Sequence, residues 1–409
     1  MDYDVVILGG GLAYRGAELL KRAGLRVAIV ERNPSHLGGV CLHEGCIPTK
    51  LYLFEARKLY DLKASSLISL EKYRLSMDKL KEKKQKLTRI LRDQIEKLLK
   101  GVDFIYGYGE LVEPYGIKVE SKSIRGRYII VNTGKSYPDR LNGNHLLELE
   151  ELPQGLKIGG DDPLVLEFAC LFALLGSSVD LYLEDNSLNF MHPSIKSRLL
   201  KMLKELGVDI RPISQASSEE TYWIKRRIPN TESIGLDLAK DQLGHLLVDK
   251  NYETSLKDHY AVGDVNGIAE LAHASGLQAI SVANRIVKGK GFFVSPYKIP
   301  YVLYTQPLSY AKVGFTRREL EDKGIGFTER SISLRAFAVG SMYHTEEGMA
   351  FLYFDTKGFL LGSEVFLRDA GEVISSITLS LFSELNLDFL TRVCLPHPTI
   401  SESLLLRLL

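Results

Sequence analysis

Two hydrophobic periods divide the chain. Val5 to Leu8 is a short unbroken apolar run that reads as a buried strand, and Gly9-Gly10-Gly11 follows it directly. Ala17 to Arg22 continues as a helix, and Arg26 to Val30 is a second strand ending at Glu31. Leu51 to Leu62 and Ser69 to Lys100 predict helices. The second is lysine-rich, with Met77, Leu80, Leu87, Leu91 and Leu98 at helical spacing. One face packing on the body with solvated charges accounts for that pattern, and a coiled-coil partner surface is the alternative. Phe104 to Tyr108, Ile117 to Val119 and Tyr128 to Val131 predict strands. The strand, glycine and helix pattern returns, altered, over Leu156 to Leu183. Toward the C-terminus, Ser331 to Val339, Met349 to Phe354 and Phe359 to Phe366 alternate as an antiparallel sheet does, and Ala370 to Leu385 predicts a helix.

A strand, a glycine turn and a helix form a Rossmann unit, in which the glycines let backbone approach a pyrophosphate at the helix N-terminus. Gly9 and Gly11 supply the first two glycines, and Glu31 stands where the fold places a carboxylate for a ribose hydroxyl. The third glycine of the pattern falls on Tyr14, unless a small adjustment gives its task to Gly16. The second unit departs further, reading Ile158-Gly159-Gly160-Asp161-Asp162-Pro163-Leu164-Val165-Leu166-Glu167. One register puts Asp161 at the second glycine, and the other puts Asp162 there with Val165 at the third. Either way a carboxylate faces the phosphates, where like charges repel. Ordinary NAD(P) binding is therefore not expected here.

Composition narrows the class only a little. The chain has 409 residues, enough for two or three domains, with 45% hydrophobic and 25% charged residues, as in a soluble globular protein. A net charge of +1 gives no reason to expect a nucleic-acid partner. No apolar run is long enough for a membrane-spanning helix, and the start lacks the basic residues of a signal peptide, so a cytoplasmic protein that is not integral to a membrane is expected.

Four cysteines in such a chain point to chemistry more than scaffolding. Two, with four residues between them, lie in Gly38-Gly39-Val40-Cys41-Leu42-His43-Glu44-Gly45-Cys46-Ile47-Pro48-Thr49-Lys50. Pro48 suits the first turn of a helix whose dipole would face Cys46, and Lys50 adds positive charge; both lower a thiol pKa. Cys41, on an irregular loop, would be the more exposed partner. An inert bridge, or half a zinc site, would use the same two residues. Zinc needs further ligands, and Cys170 and Cys394 lack ligand-like spacing, so no metal site is expected.

This stretch resembles the redox-active disulfide of the flavin-dependent disulfide oxidoreductases, the family of dihydrolipoamide dehydrogenase, glutathione reductase and mercuric reductase. Other segments resemble it too. Thr133-Gly134 is similar to the ATG turn, with Asn132 ahead of it. Arg227-Ile228-Pro229-Asn230-Thr231 is similar to GRxPNT, Tyr260 to Asp264 to YAxGD, and Leu271-Ala272-His273 to LAH. Pro300 to Pro307 with Ala311 to Gly314 is similar to the family's TxPExAxVG, and His397-Pro398-Thr399-Ile400-Ser401-Glu402 to HPTLSE.

The resemblance implies an α/β chain of two Rossmann-like, FAD/NAD(P)-binding type domains plus an α+β C-terminal dimerisation domain. Residues 1–150 and 255–296 would form a discontinuous FAD-binding domain, 151–254 a shortened, degenerate NAD(P)-binding-like domain, and 297–409 the dimerisation domain. Between Pro212 and Tyr222 only a short polar link stands where the family spends a longer β-hairpin segment. Cys41 and Cys46 would be the redox pair, His397 the acid–base catalyst and Glu402 its orienter. The implied FAD contacts are Gly9, Gly11, Glu31, Gly39, Lys50, Thr133, Gly134, Glu167, Asp264 and Ala272, with Lys50 and Glu167 as an ion pair beside the flavin. An imidazole with a pKa near 6.5 can take and return protons at neutral pH. The activity implied is dihydrolipoamide dehydrogenase-like dithiol–disulfide exchange through FAD, in a homodimer with shared sites. A quinone, a protein partner or oxygen could accept the electrons in place of NAD. An NAD(P)H-dependent disulfide or metal-ion reductase is the alternative, though the tandem C-terminal cysteines of mercuric reductases are absent; a flavin-binding sensor or assembly protein is the alternative of another class. Cys394, three residues before His397, reads as a buried thiol or as a third redox cysteine.

Overall fold

The structure is a computed structural model that describes residues 1–69, 72–138, 141–217, 220–232 and 234–405. It divides into two compact units. One comprises Met1–Pro48, Lys81–Pro138 and Arg226–Pro296, and the other Thr49–Leu80, Asp139–Lys225 and Tyr297–Leu409.

The first unit is a doubly wound sheet. Strands Asp103–Tyr106, Val27–Glu31, Tyr3–Leu8, Lys122–Val131 and His259–Ala261 lie side by side and parallel. The near end of Lys122–Val131 pairs antiparallel with Gly116–Val119, which continues the sheet to Gly109–Glu113. Val5, Ile7, Val27 and Ile29 pack on the helix side with Ala17, Leu20, Ala279 and Val282, while Val6, Leu8 and Ala28 pack on the other face. Burial on both faces is why these strands read as continuous apolar runs. Because His259–Ala261 pairs in register with Ile129–Val131, Asp264 arrives at the same sheet end as the glycine turn.

The second unit holds two sheets. Strands Val208–Pro212, Ser178–Leu183, Gly155–Gly160 and Thr221–Trp223 form a four-stranded parallel sheet. The helix Val165–Leu175 crosses it and is buried at ten positions, including Glu167, so its sequence is apolar all round. Tyr301–Leu303, Ser309–Gly314, Leu360–Leu367, Met349–Phe354 and Thr328–Ser333 form an antiparallel five-stranded sheet, packed on the helix Ala370–Phe382.

Several expected bounds move. The helix expected from Ser69 begins at Met77, where Ser76 Oγ accepts the Lys79 amide; residues 70–71 of that expectation lie outside the described residues. The helix expected from Leu51 begins at Cys46 and runs to Ala64. The strand expected over Ser331 to Val339 stops at Ser333 and gives way to short helical turns. The units also cut the chain differently from the three-domain boundaries. Tyr52, Leu53 and Ala56 share a core with Leu146 and Leu147 in the second unit, so residues 49–80 and 139–150 cluster there. Residues 226–254 cluster with the first unit, where Leu246 N–H donates to Val265 O at 2.9 Å. Among the described residues no helix is long and apolar enough to cross a membrane.

Candidate active site

In the first unit, Gly9 adopts φ +106°, and a Cβ there would lie 2.4 Å from Asn132 O. Gly39 has φ +68°, and its Cβ would lie 2.9 Å from Gly11 Cα, so the glycine turn and the start of the cysteine loop meet backbone to backbone. Gly38 N–H donates to Gly10 O at 2.8 Å and ties the two together. Glu31 Oε2 accepts from Gly10 N–H at 2.7 Å and Oε1 from Asn33 N–H at 3.0 Å, fixing the carboxylate at the strand end. Asn132 Oδ1 accepts from Ala13 N–H at 3.1 Å, which gives the departure from the ATG turn a purpose: it satisfies an amide at the entry of the helix Tyr14–Arg22. Gly16, not residue 14, is the packing glycine. Its Cβ would stand 2.7 Å from Ala279 O, while Tyr14 is half-buried at the edge of the core.

The turn at Thr133-Gly134 is held by Asn230. Its Nδ2 donates to Thr133 O at 2.9 Å and its N–H to Gly134 O at 2.9 Å, and Thr133 Oγ1 donates to Asn230 O at 2.8 Å. Asp264 follows Gly263, whose N–H donates to Gln278 Oε1 at 2.8 Å. Burial raises the Asp264 pKa, Arg227 and Lys135 pull it down, and Glu270 adds to the rise. Ala272 opens the helix Ala272–Lys288. Facing backbones at Gly11 and Gly39, a pinned acid at the strand end and a half-buried acid at the neighbouring strand end fit an elongated dinucleotide such as FAD.

Cys41 lies in the short helix Gly39–His43, and Cys46 is the first residue of Cys46–Ala64. Both are free thiols, joined by a hydrogen bond in which Cys41 donates to Cys46. That bond, helped by the positive charge of Arg227 and by the helix-end amide of Cys46, brings the Cys46 thiol down to about 7 against the partial desolvation of its sulfur and the charge of Asp264. The same bond, burial and the developing Cys46 charge push Cys41 up. Two expectations are corrected here. Cys46 is exposed and Cys41 half-buried, the reverse of the loop argument, whose premise fails: Cys41 sits in a short helix and not on an irregular loop. The cation acting on Cys46 is Arg227 rather than Lys50; Arg227 also lies 4.6 Å from the Tyr137 ring. Sequence reading placed Arg227 only inside a motif, and four motif residues give no sign of which thiol it faces.

In the second unit, Lys50 Nζ lies 4.5 Å over the Tyr304 ring and 4.0 Å from Glu372, on an exposed surface. Glu167 is buried and accepts the Tyr304 N–H at 2.7 Å. The expected Lys50–Glu167 ion pair is thus replaced by an arrangement in which both meet Tyr304, since the backbone amide offers a buried carboxylate a partner that needs no second buried charge. His397 Nδ1 lies 2.9 and 3.1 Å from the two oxygens of Glu402, with the imidazole 75% exposed. A carboxylate on Nδ1 leaves Nε2 as the basic nitrogen. Thr399 Oγ1 accepts the Glu402 N–H at 3.1 Å and sets the carboxylate in the first turn of Ile400–Leu405. Cys394 is exposed rather than buried.

The second glycine turn is closed. A Cβ on Gly160 would lie 2.0 Å from Ile224 O, so this glycine admits a neighbouring strand rather than a ligand. Asp162 N–H donates to Ile224 O at 3.3 Å, Leu164 N–H to Asp162 Oδ1 at 2.9 Å and Val165 N–H to Asp162 O at 3.0 Å. Pro163 has no amide to offer. These residues do not fit a dinucleotide pyrophosphate.

Fold and site define a flavin-type disulfide oxidoreductase: a dinucleotide cradle in the same unit as a polarised thiol pair, and a carboxylate-oriented histidine in the other. Residues 3–221 match the pyridine nucleotide-disulphide oxidoreductase family, and residues 299–407 match its dimerisation domain. The chain belongs to that family, and it is a flavoprotein disulfide oxidoreductase with FAD as its cofactor. Among curated relatives, dihydrolipoyl dehydrogenase of Mycoplasma pneumoniae is 28% identical over 447 aligned positions, covering 98% of this chain and 97% of the relative. That of Chlamydia muridarum is 27% identical, covering 98% and 95%. Among solved structures, LpdA of Mycobacterium tuberculosis superposes with a TM-score of 0.90 at 21% identity, over 99% of this chain and 98% of that one. The HOCl-induced flavoprotein disulfide reductase RclA of Escherichia coli does so at 0.87 and 24%, over 99% of both. The aligned length exceeds the 409 residues here, so the relatives carry segments this chain lacks.

Proposed function

We propose that this chain is a dihydrolipoamide dehydrogenase-like dithiol oxidase working with an electron acceptor other than NAD(P). The observation that carries the dithiol half is the polarised Cys41–Cys46 pair in the same unit as Glu31 and Asp264. The closed turn at Asp162 supports the second half. The three-domain division and a cytoplasmic setting are part of the same reading, as is a homodimer in which His397 of one protomer serves the cysteine pair of its partner. The exposure of His397 and the match to a dimerisation domain support the shared site.

The reaction begins with the cysteine pair oxidised. His397 Nε2 takes the proton of one substrate thiol, and Glu402 balances the imidazolium charge. The substrate thiolate attacks Cys41 Sγ, the S–S bond breaks, and Cys46 leaves as a thiolate, a good leaving group because its pKa is low. His397 passes that proton to solvent and takes the proton of the second substrate thiol; the resulting thiolate closes the substrate disulfide and releases Cys41, which receives this second proton from His397. Two electrons now reside on the cysteine pair. Gly9, Gly11, Gly39, Glu31, Thr133, Gly134, Asp264 and Ala272 would hold FAD. Bound FAD supplies the two-electron acceptor for the Cys46 thiolate. A quinone, a protein or oxygen then takes the pair.

Anaerobic titration of the yellow protein with dihydrolipoamide and separately with NADH tests this. Bleaching at 450 nm by the dithiol alone is expected. Bleaching by NADH at a comparable rate would falsify the acceptor claim, and indifference to dithiols would remove the substrate claim.

A further inference from the structure

Lys135 is only 4% exposed, and a buried ammonium needs a partner. It finds one in Glu270, whose Oε1 lies 2.5 Å from Lys135 Nζ. The two residues occupy telling places. Lys135 directly follows Thr133-Gly134, and Glu270 stands two residues before Ala272 and the helix it opens. Behind Glu270 is His245, 6% exposed, with Nε2 3.9 Å from the carboxylate and without a hydrogen-bond partner. Asp241 holds its other nitrogen at 2.7 Å. The ring lies against Gly267, where a Cβ would stand 2.7 Å away, so it also backs the turn that carries Asp264.

We propose that Lys135 and Glu270, seated by His245 and Asp241, form a latch that positions FAD by joining the Thr133-Gly134 turn to the start of the helix at Ala272. This rests on the FAD-site reading above. The latch fixes two cofactor segments far apart in sequence before the ligand arrives, so less binding energy goes into ordering them. It also sets a positive charge near Asp264, where Lys135 opposes the effect of burial. Lys135 and Glu270 are positioning residues: they act through the segments they tie.

The test is a double-mutant cycle on FAD affinity, read by FAD fluorescence on titrating apoprotein. Lys135→Met should weaken binding about tenfold and Glu270→Gln severalfold. The double variant should be no worse than Lys135→Met alone, since coupled residues are non-additive. Lys135→Arg should recover most of the loss. Glu270 is half-exposed, so its isosteric variant keeps the fold if Lys135→Met does not. Both single variants binding FAD within twofold of wild type, or a double variant showing the product of the single effects, would overturn the latch. A wild-type chain that takes up no FAD would overturn the cofactor reading itself and the latch with it.

Discussion

The two glycine turns share an architecture and differ in where they keep a carboxylate. In the first, Glu31 sits one strand away and accepts only Gly10 N–H from the turn. Among the described residues the amides of Gly11 and Leu12 make no hydrogen bond, so they can donate to phosphate oxygens. In the second, Asp162 is inside the turn, accepts Leu164 N–H on its side chain and Val165 N–H on its carbonyl, and spends its own amide on Ile224. An acid beside a phosphate site selects a ribose; an acid within it takes the place of the phosphate. Backbone amides are a fixed supply, and a turn that consumes them internally has closed itself as surely as one that fills with a side chain.

The strongest way to break the comparison is to move the acid. Gly11→Asp puts a side chain 2.7 Å from Asn132 Oδ1 and a charge among the open amides, so FAD binding should fall by about a hundredfold or more, seen as loss of the 450 nm band. A yellow Gly11→Asp protein would mean the first turn is not the phosphate site.

His397→Gln tests the half of the machinery that lies outside both turns. Dithiol turnover should drop by about a hundredfold with FAD content unchanged, the usual scale of a general base. An unchanged rate would assign the proton to another group.

Next comes the thiol pair that the first turn serves. Cys46 titrates near 7, so its thiolate exists above that pH and is lost as pH falls below it, whereas Cys41 stays protonated throughout. In the reduced protein Cys46 should be alkylated by iodoacetamide about tenfold faster at pH 7 than a free cysteine of pKa about 8.5, with Cys41 lagging. Mass spectrometry of the labelled peptide decides it, and preferential labelling of Cys41 would reverse the assignment.

The smallest effect sharpens the second turn. Asp162→Ala should cost about 1 kcal/mol, a few degrees in Tm, because Leu164 N–H loses its acceptor, and Asp162→Ser should recover most of it. If Asp162→Ala leaves Tm untouched, the side chain is not a cap.

Much of this was legible in the chain because the family's chemistry is written in short contiguous motifs. Cys41 and Cys46 lie five positions apart, and so do His397 and Glu402, within reach of each other by local geometry alone. Glu31 stands at the end of the second apolar run, and Asp162 stands out as an intruder in a glycine turn. Other features depend on partners far along the chain. Whether Tyr14 or Gly16 performs the packing depends on Ala279, more than two hundred residues on. Lys50 and Glu167 look like an ion pair until Tyr304 and Glu372 are in place. Arg227 becomes the cation acting on Cys46 only through its placement in the first unit.

The sequence by itself determined the α/β class, the family, the pairing of two cysteines in one short motif and the damage to the second glycine motif, because each is a matter of residue type at fixed local spacing. Only the tertiary structure decided which cation tunes Cys46, which glycine packs the first helix and what Asp162 does with its oxygens. It also brought Lys135 to Glu270 across 135 residues. Those are questions of distance between segments, and distance between segments is set by packing rather than by any local run of residues.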